Sequence, residues 1–203
     1  MRRLLLGLVV ATTALTFLSS FSAQASSSAR LTSTTVRHIS PLDSSGHLKS
    51  TYTLANVRRG RCFTTSFENG RLFRCLGGNF LHDPCWKESG RHSVVCVDRP
   101  WSHRVTRLNL TRPLPARDSF GPTEWGLRLA SGIDVKCQHS QGASGTVGGK
   151  PISYFCGHGW VLLGNQPNRS QPVWTMATAK SVNGHYQARG RKNLSEAWRA
   201  VKL

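Results

Sequence analysis

The chain has 203 residues and a formal net charge of +18, from 27 Lys and Arg against 9 Asp and Glu. That balance favours polyanions as partners, whose encounter it speeds without specifying a fold or a site. The length is enough for one domain with a real core plus tails, and only the N-terminus carries a long apolar run, which excludes a multi-span membrane protein.

Arg2 and Arg3 precede an apolar stretch from Leu4 to Phe21, and Ala23-Gln24-Ala25 offers a small-x-small cleavage site. Positive, apolar and small-residue regions in that order describe a secretory signal peptide over residues 1–25. The stretch is interrupted by Thr12, Thr13, Ser19 and Ser20, which counts against a retained anchor. After cleavage no transmembrane span is expected. Residues 26–50 are rich in Ser and Thr and lack Phe, Tyr and Trp. They have little apolar surface to offset ordering entropy and read as a disordered tether.

From Thr51 onward, short apolar alternations are separated by Gly, Asn, Asp and Pro. Thr51–Val57, Cys62–Phe67, Leu72–Cys75, Ser93–Val97, Val105–Leu110, Trp125–Leu129, Ile133–Cys137, Ile152–Cys156, Trp160–Leu163 and Val173–Ala177 read as strands. Their number and spacing predict a mainly β domain over 51–178, an antiparallel sandwich or barrel. The last 25 residues, 179–203, read as a basic tail. Within it Ser195–Val201 predicts a short helix capped by Ser195.

Six cysteines, Cys62, Cys75, Cys85, Cys96, Cys137 and Cys156, follow the signal peptide. An even set in an exported chain reads as a disulfide framework, for which fifteen pairings exist. Asn69-Gly70 between Cys62 and Cys75 is a hairpin signal, as is Ser89-Gly90 between Cys85 and Cys96, which would leave Cys137 with Cys156. A competing zinc set from Cys137-Gln138-His139 and Cys156-Gly157-His158 matches no familiar finger spacing, and an oxidising compartment disfavours it. No metal and no cofactor are expected.

The basic residues expected to hold a polyanion are Arg58, Arg59, Arg61, Arg104, Arg107, Arg189, Arg191 and Lys192, with Trp101 and Trp160 as stacking surfaces. Catalytic signatures are missing: Gly142-Ala143-Ser144-Gly145 fails as a nucleophile elbow, and Gly149-Lys150-Pro151 fails as a phosphate loop. The remaining catalytic reading combines His82-Asp83 with His103 and a nearby cation as a metal-free nuclease. A glycosidase pair would need two of Asp83, Asp98, Asp118, Glu124 and Asp134 brought together by the fold. Asp83-Pro84 otherwise reads as a turn. Three glycosylation sequons start at Asn109, Asn168 and Asn193.

Gly60-Arg61-Cys62, Phe73-Arg74-Cys75-Leu76-Gly77-Gly78-Asn79, Asp83-Pro84-Cys85-Trp86 and Val95-Cys96 before Arg99-Pro100-Trp101 form a distinctive series. Leu110–Pro115, Trp125–Leu129 and Pro167-Asn168-Arg169-Ser170 continue it. The series resembles a group of uncharacterised secreted actinobacterial proteins. The resemblance implies an envelope or extracellular location and supplies no catalytic residues. The expectation is therefore a secreted, non-catalytic module that binds anionic envelope or extracellular polymers. Its rivals are a small secreted hydrolase and a protein-binding or sensory domain.

Overall fold

A computed structural model describes residues 31–117, 123–131, 133–142 and 144–202; the expected signal peptide lies outside them. The first half contributes β1 (Thr35–Ile39), β2 (Thr53–Thr65), β3 (Phe73–Gly77), β4 (Phe80–Lys87), β5 (Ser93–Val97) and β6 (Arg104–Leu110). The second contributes β7 (Glu124–Leu129), β8 (Val135–His139), β9 (Thr146–Val147), β10 (Lys150–Cys156), β11 (Trp160–Asn168), β12 (Thr175–Val182) and β13 (His185–Ala200). Mainly β architecture follows from the short alternating runs, and the strands sort into two closed sheets.

Strands β2 to β6 form a meander in which each strand is antiparallel to the next. With five strands the first and last point the same way, so closure must be parallel, and β2 pairs with β6 from Thr53↔Arg104 to Gly60↔Leu110. Strands β7, β8, β10, β11, β12 and β13 form a second meander. Six strands end antiparallel to their start, and the C-terminal half of β13 pairs back onto β7 from Leu194↔Leu129 to Arg199↔Glu124. Closure leaves few free edges in either ring.

Each disulfide joins residues that face one another across neighbouring antiparallel strands. Cys62 is bonded to Cys75 across β2–β3, Cys85 to Cys96 across β4–β5, and Cys137 to Cys156 across β8–β10. These are the pairings that local hairpins favour, and they leave no thiolate for a zinc set. The six sulfurs are buried or half-buried. Four of the first barrel's cysteines pack with Phe73, Val94 and Leu108 inside that barrel. Leu127, Leu129, Val135, Tyr154, Leu162, Met176 and Leu194 fill the second. Between the rings Trp86 and Trp125 meet at 6.2 Å, joined by Leu42, Leu72, Val95, Val97, Val105 and Ala200. Gly126 permits this approach, since a Cβ there would lie 2.6 Å from Pro100 Cγ.

Several expectations are corrected. The tether is ordered from residue 31 onward: β1 runs parallel to β13, and Thr34, Ser40 and Leu42 are buried. Thr34 Oγ1 donates to the Leu194 carbonyl and accepts from the Trp174 N–H, so the hydroxyl-rich segment satisfies backbone groups of the barrel. The basic tail and its helix are instead the long strand β13. Ser195–Ala200 has helical propensity, but partners on both sides, β7 and β1, hold it extended, and tertiary pairing overrides propensity. Asp83-Pro84 lies inside β4, where the β3–β4 register slips between Phe73 and Cys75 and accommodates a residue without an N–H. Asn69-Gly70 belongs to a seven-residue loop (66–72) rather than a two-residue turn, because Asn69 is buried and its Nδ2 donates to the Ala200 carbonyl. The tight Asn-Gly turn is at Asn183 (φ 51°) and Gly184 (φ 80°), between β12 and β13.

Candidate functional site

The surface chemistry is governed by where the few carboxylates go. Four of the nine, Glu68, Asp83, Glu88 and Glu124, are buried, none more than 3% exposed. Glu124 accepts from Arg199 Nε and Nη2 at 3.0 and 2.7 Å and from Arg169 Nη2. Asp134 and Glu196 are taken up by Arg128, Lys136 and Arg37. Buried charges demand partners because desolvation is costly. The consequence on the outside is a cationic surface with little to neutralise it.

Most of the expected cations are on that surface. Arg58, Arg59 and Arg61 are exposed on β2, and Arg104 is exposed at the start of β6, which lies beside β2. None of the four has a carboxylate partner among the described residues. Arg107 is the exception and leaves the candidate set. Its Nη2 and Nε bind Glu88 at 2.7 and 2.8 Å, a pair that holds the Glu88 carboxyl below its usual range against the effect of burial. Bidentate Arg–carboxylate pairing commits the guanidinium to the fold.

The second basic region is a two-stranded ribbon. Beyond Thr178 the β12–β13 hairpin runs to its Asn183-Gly184 turn and back, and every residue from Asn183 to Arg191 is exposed. Arg189 and Arg191 are on it, with Lys192 half-buried beside them. Trp160 of β11 pairs in register with Lys180, and its ring has Lys180 Nζ at 5.4 Å and Lys192 Nζ at 4.8 Å. Lys180 was not among the expected residues. Trp160 thus gathers two ammonium groups around one aromatic face. Between Asp134 and Glu196 the chain holds seven Lys and Arg and no carboxylate at all. Trp101, the other expected stacking residue, is half-buried, edge-on to Trp198 at 5.5 Å, with Lys136 Nζ 5.9 Å from its ring.

Between the barrels lies a polar seam that sequence reading did not assemble. Glu68 of the 66–72 loop and His139 at the end of β8 meet at 2.9 Å, Oε1 to Nδ1. Burial raises the Glu68 pKa; burial opposes charge on His139, but the hydrogen bond and charge of Glu68 overcome it and raise that pKa too. Asp83 is nearby on β4, and burial pushes its carboxyl up to about 7. His82 and His103 do not form the expected pair. His82 faces the end of the first barrel, whereas His103 packs on Tyr52 at 5.3 Å in a different pocket. No sequence spacing connects residues 68 and 139; only barrel packing brings them together.

Fold and surface define a class: a disulfide-bridged double β-barrel with four buried carboxylates and mostly exposed cations. No protein-family model, curated protein or solved structure matches the chain.

Proposed function

We propose that the protein is a secreted binding module that associates with anionic polymers of the cell envelope or extracellular space. The observation that carries this reading is the exposed β12–β13 ribbon, whose Lys180, Arg189, Arg191 and Lys192 have no carboxylate partner among the described residues. Arg58, Arg59, Arg61 and Arg104 on β2 and β6 supply a second cationic strip. Three disulfides fit an oxidising compartment, and the N-terminal signal pattern and the resemblance to secreted actinobacterial proteins support export. No helix among the described residues is long and apolar enough to cross a membrane.

An extended ribbon suits a polymer better than a compact anion, because successive charges can be met along its length. Affinity of this type arises from counterion release and falls with salt. The test is retention of the oxidised mature protein on purified cell wall across a salt series, with the anionic polymers stripped in a parallel sample. Retention that falls steeply with salt and disappears on stripping supports the reading; full recovery in the unbound fraction at low salt contradicts it.

A further inference from the structure

The open end of the five-stranded barrel holds a pocket of about 270 Å³ lined by Asn56 and Arg58 of β2, Phe80, His82 and Asp83 of β4, and Thr106 of β6. Gln138 and Gln141 from the second barrel form its lip, and Asp98 is at its edge. Two lining residues carry buried atoms with no hydrogen-bond partner among the described residues, Asp83 Oδ1 and His82 Nε2. Asp83 itself is 2% exposed. Both atoms are beneath the pocket wall, and each lacks the protein partner that buried polar groups normally have. Barrel mouths are a recurrent place for small ligands.

We propose that this pocket binds one acidic sugar residue, a hexuronate unit of the anionic polymer. The volume is just short of the roughly 300–1,000 Å³ of sites for larger organic ligands. Phe80 is 59% exposed at the rim, a flat apolar face for a sugar ring, with the Arg58 guanidinium 4.9 Å from its centroid. The planar fork of Arg58 matches a carboxylate. Asn56, Gln138 and Thr106 offer donors and acceptors for hydroxyl groups. A phosphate would bring more negative charge to a site with one cation and two carboxyl groups, and it has no hydroxyls for the amides. The assignment rests on the polyanion reading in that the sugar is a unit of that polymer and Arg58 serves both.

Asp83 gives the site a pH signature. Its carboxyl is pushed up to about 7 by burial and by Glu68, against Ser66, the Phe67 N–H and Arg74. His82, Asp98 and Arg58 face it within the pocket, and Glu68, Arg74 and His139 lie behind it. Ionised, Asp83 repels the ligand carboxylate from beneath the pocket wall; protonated, it does not. Uronate affinity should therefore fall as pH rises through neutrality.

Glucuronate and galacturonate, with glucose and inorganic phosphate as controls, are titrated into the full mature protein and followed by amide chemical shifts. The uronates should bind with a Kd on the order of 1 mM, and glucose and phosphate about tenfold more weakly. From one pH unit below to one above the Asp83 pKa, wild-type affinity should drop about tenfold, and Asp83→Asn should abolish that dependence. Phe80→Ala, at an exposed position that leaves the fold intact, should weaken the uronates about tenfold. Absence of uronate binding, equal binding of phosphate, pH-independent affinity, or an unaffected Phe80→Ala variant would each overturn the pocket assignment. A variant with Lys180, Arg189, Arg191 and Lys192 changed to Ser should keep uronate binding while losing wall retention, so failure of the polymer reading shows separately.

Discussion

The two barrels carry the same excess of positive charge and spend it differently. The five-stranded ring, 53–110, has ten basic and four acidic residues; the six-stranded ring, 124–200, has nine and three. In the first, three carboxylates, Glu68, Asp83 and Glu88, are buried, and two disulfides tie its strands. In the second, the acids sit at Glu124, Asp134 and Glu196, beside the β7–β13 closure, and everything between Asp134 and Glu196 is free of them. Net charge is therefore a poor guide to a binding surface. The distribution of acids, three of four buried in one ring and gathered at one seam in the other, is what leaves the β2 strip and the ribbon short of neutralising partners.

Three substitutions, in decreasing order of their effect on stability, and one reduction experiment sharpen this contrast. Glu124→Ala leaves Arg199 and Arg169 beside a buried void and should cost about 3–5 kcal/mol, read as a shift in denaturant midpoint. Replacing Cys137 and Cys156 together by Ser opens a bridge between positions 19 apart and should cost about 3 kcal/mol by the same measurement. Because the first barrel has two bridges, reduction should loosen it more than the second, visible as faster amide exchange over β3 and β5 than over β11 and β12. Gly126→Ala drives a methyl into Pro100 at the barrel–barrel contact and should cost about 1–3 kcal/mol without changing wall retention.

Comparing wild type with Asp83→Asn isolates one of the three buried acids of the first ring. Asp83 has a folded-state pKa raised from 3.8 to about 7, so its contribution is fully present below 3.8 and is lost as pH rises through about 7. The melting temperature of the Asp83→Asn variant should accordingly fall less than that of the wild type across this window. An identical slope in both proteins would mean that Asp83 is not the group responsible.

Much of the fold can be read from local pattern. Ser93–Val97 is a short run of small and β-branched residues buried on both faces and is strand β5 to the residue, and the cysteines bracket hairpins that the structure closes with bridges. What sequence reading misses is set by distant partners. Thr35–Ile39 becomes a strand because β13 offers it an edge, and Ser195–Ala200 is extended because it is sandwiched between two strands. The cationic candidates are legible for the same reason that they are exposed: they need no partner. Arg107 is misread because its Glu88 partner lies 19 positions away on another strand, and the Glu68–His139 pair is invisible because its members are 71 positions apart.

The most direct test of the central claim is salt-gradient elution of the oxidised protein from immobilised anionic cell-wall polymer. The comparison is wild type against the variant with Ser at 180, 189, 191 and 192. Those exposed or half-buried positions hold no buried ion pair, so the fold should survive with a loss of about 1–2 kcal/mol from the contacts to Trp160 and Thr175. The slope of log affinity against log salt should nevertheless shrink by about one for each cation removed. Earlier elution with a shallower salt slope is the predicted result; elution at the wild-type salt concentration would contradict the account.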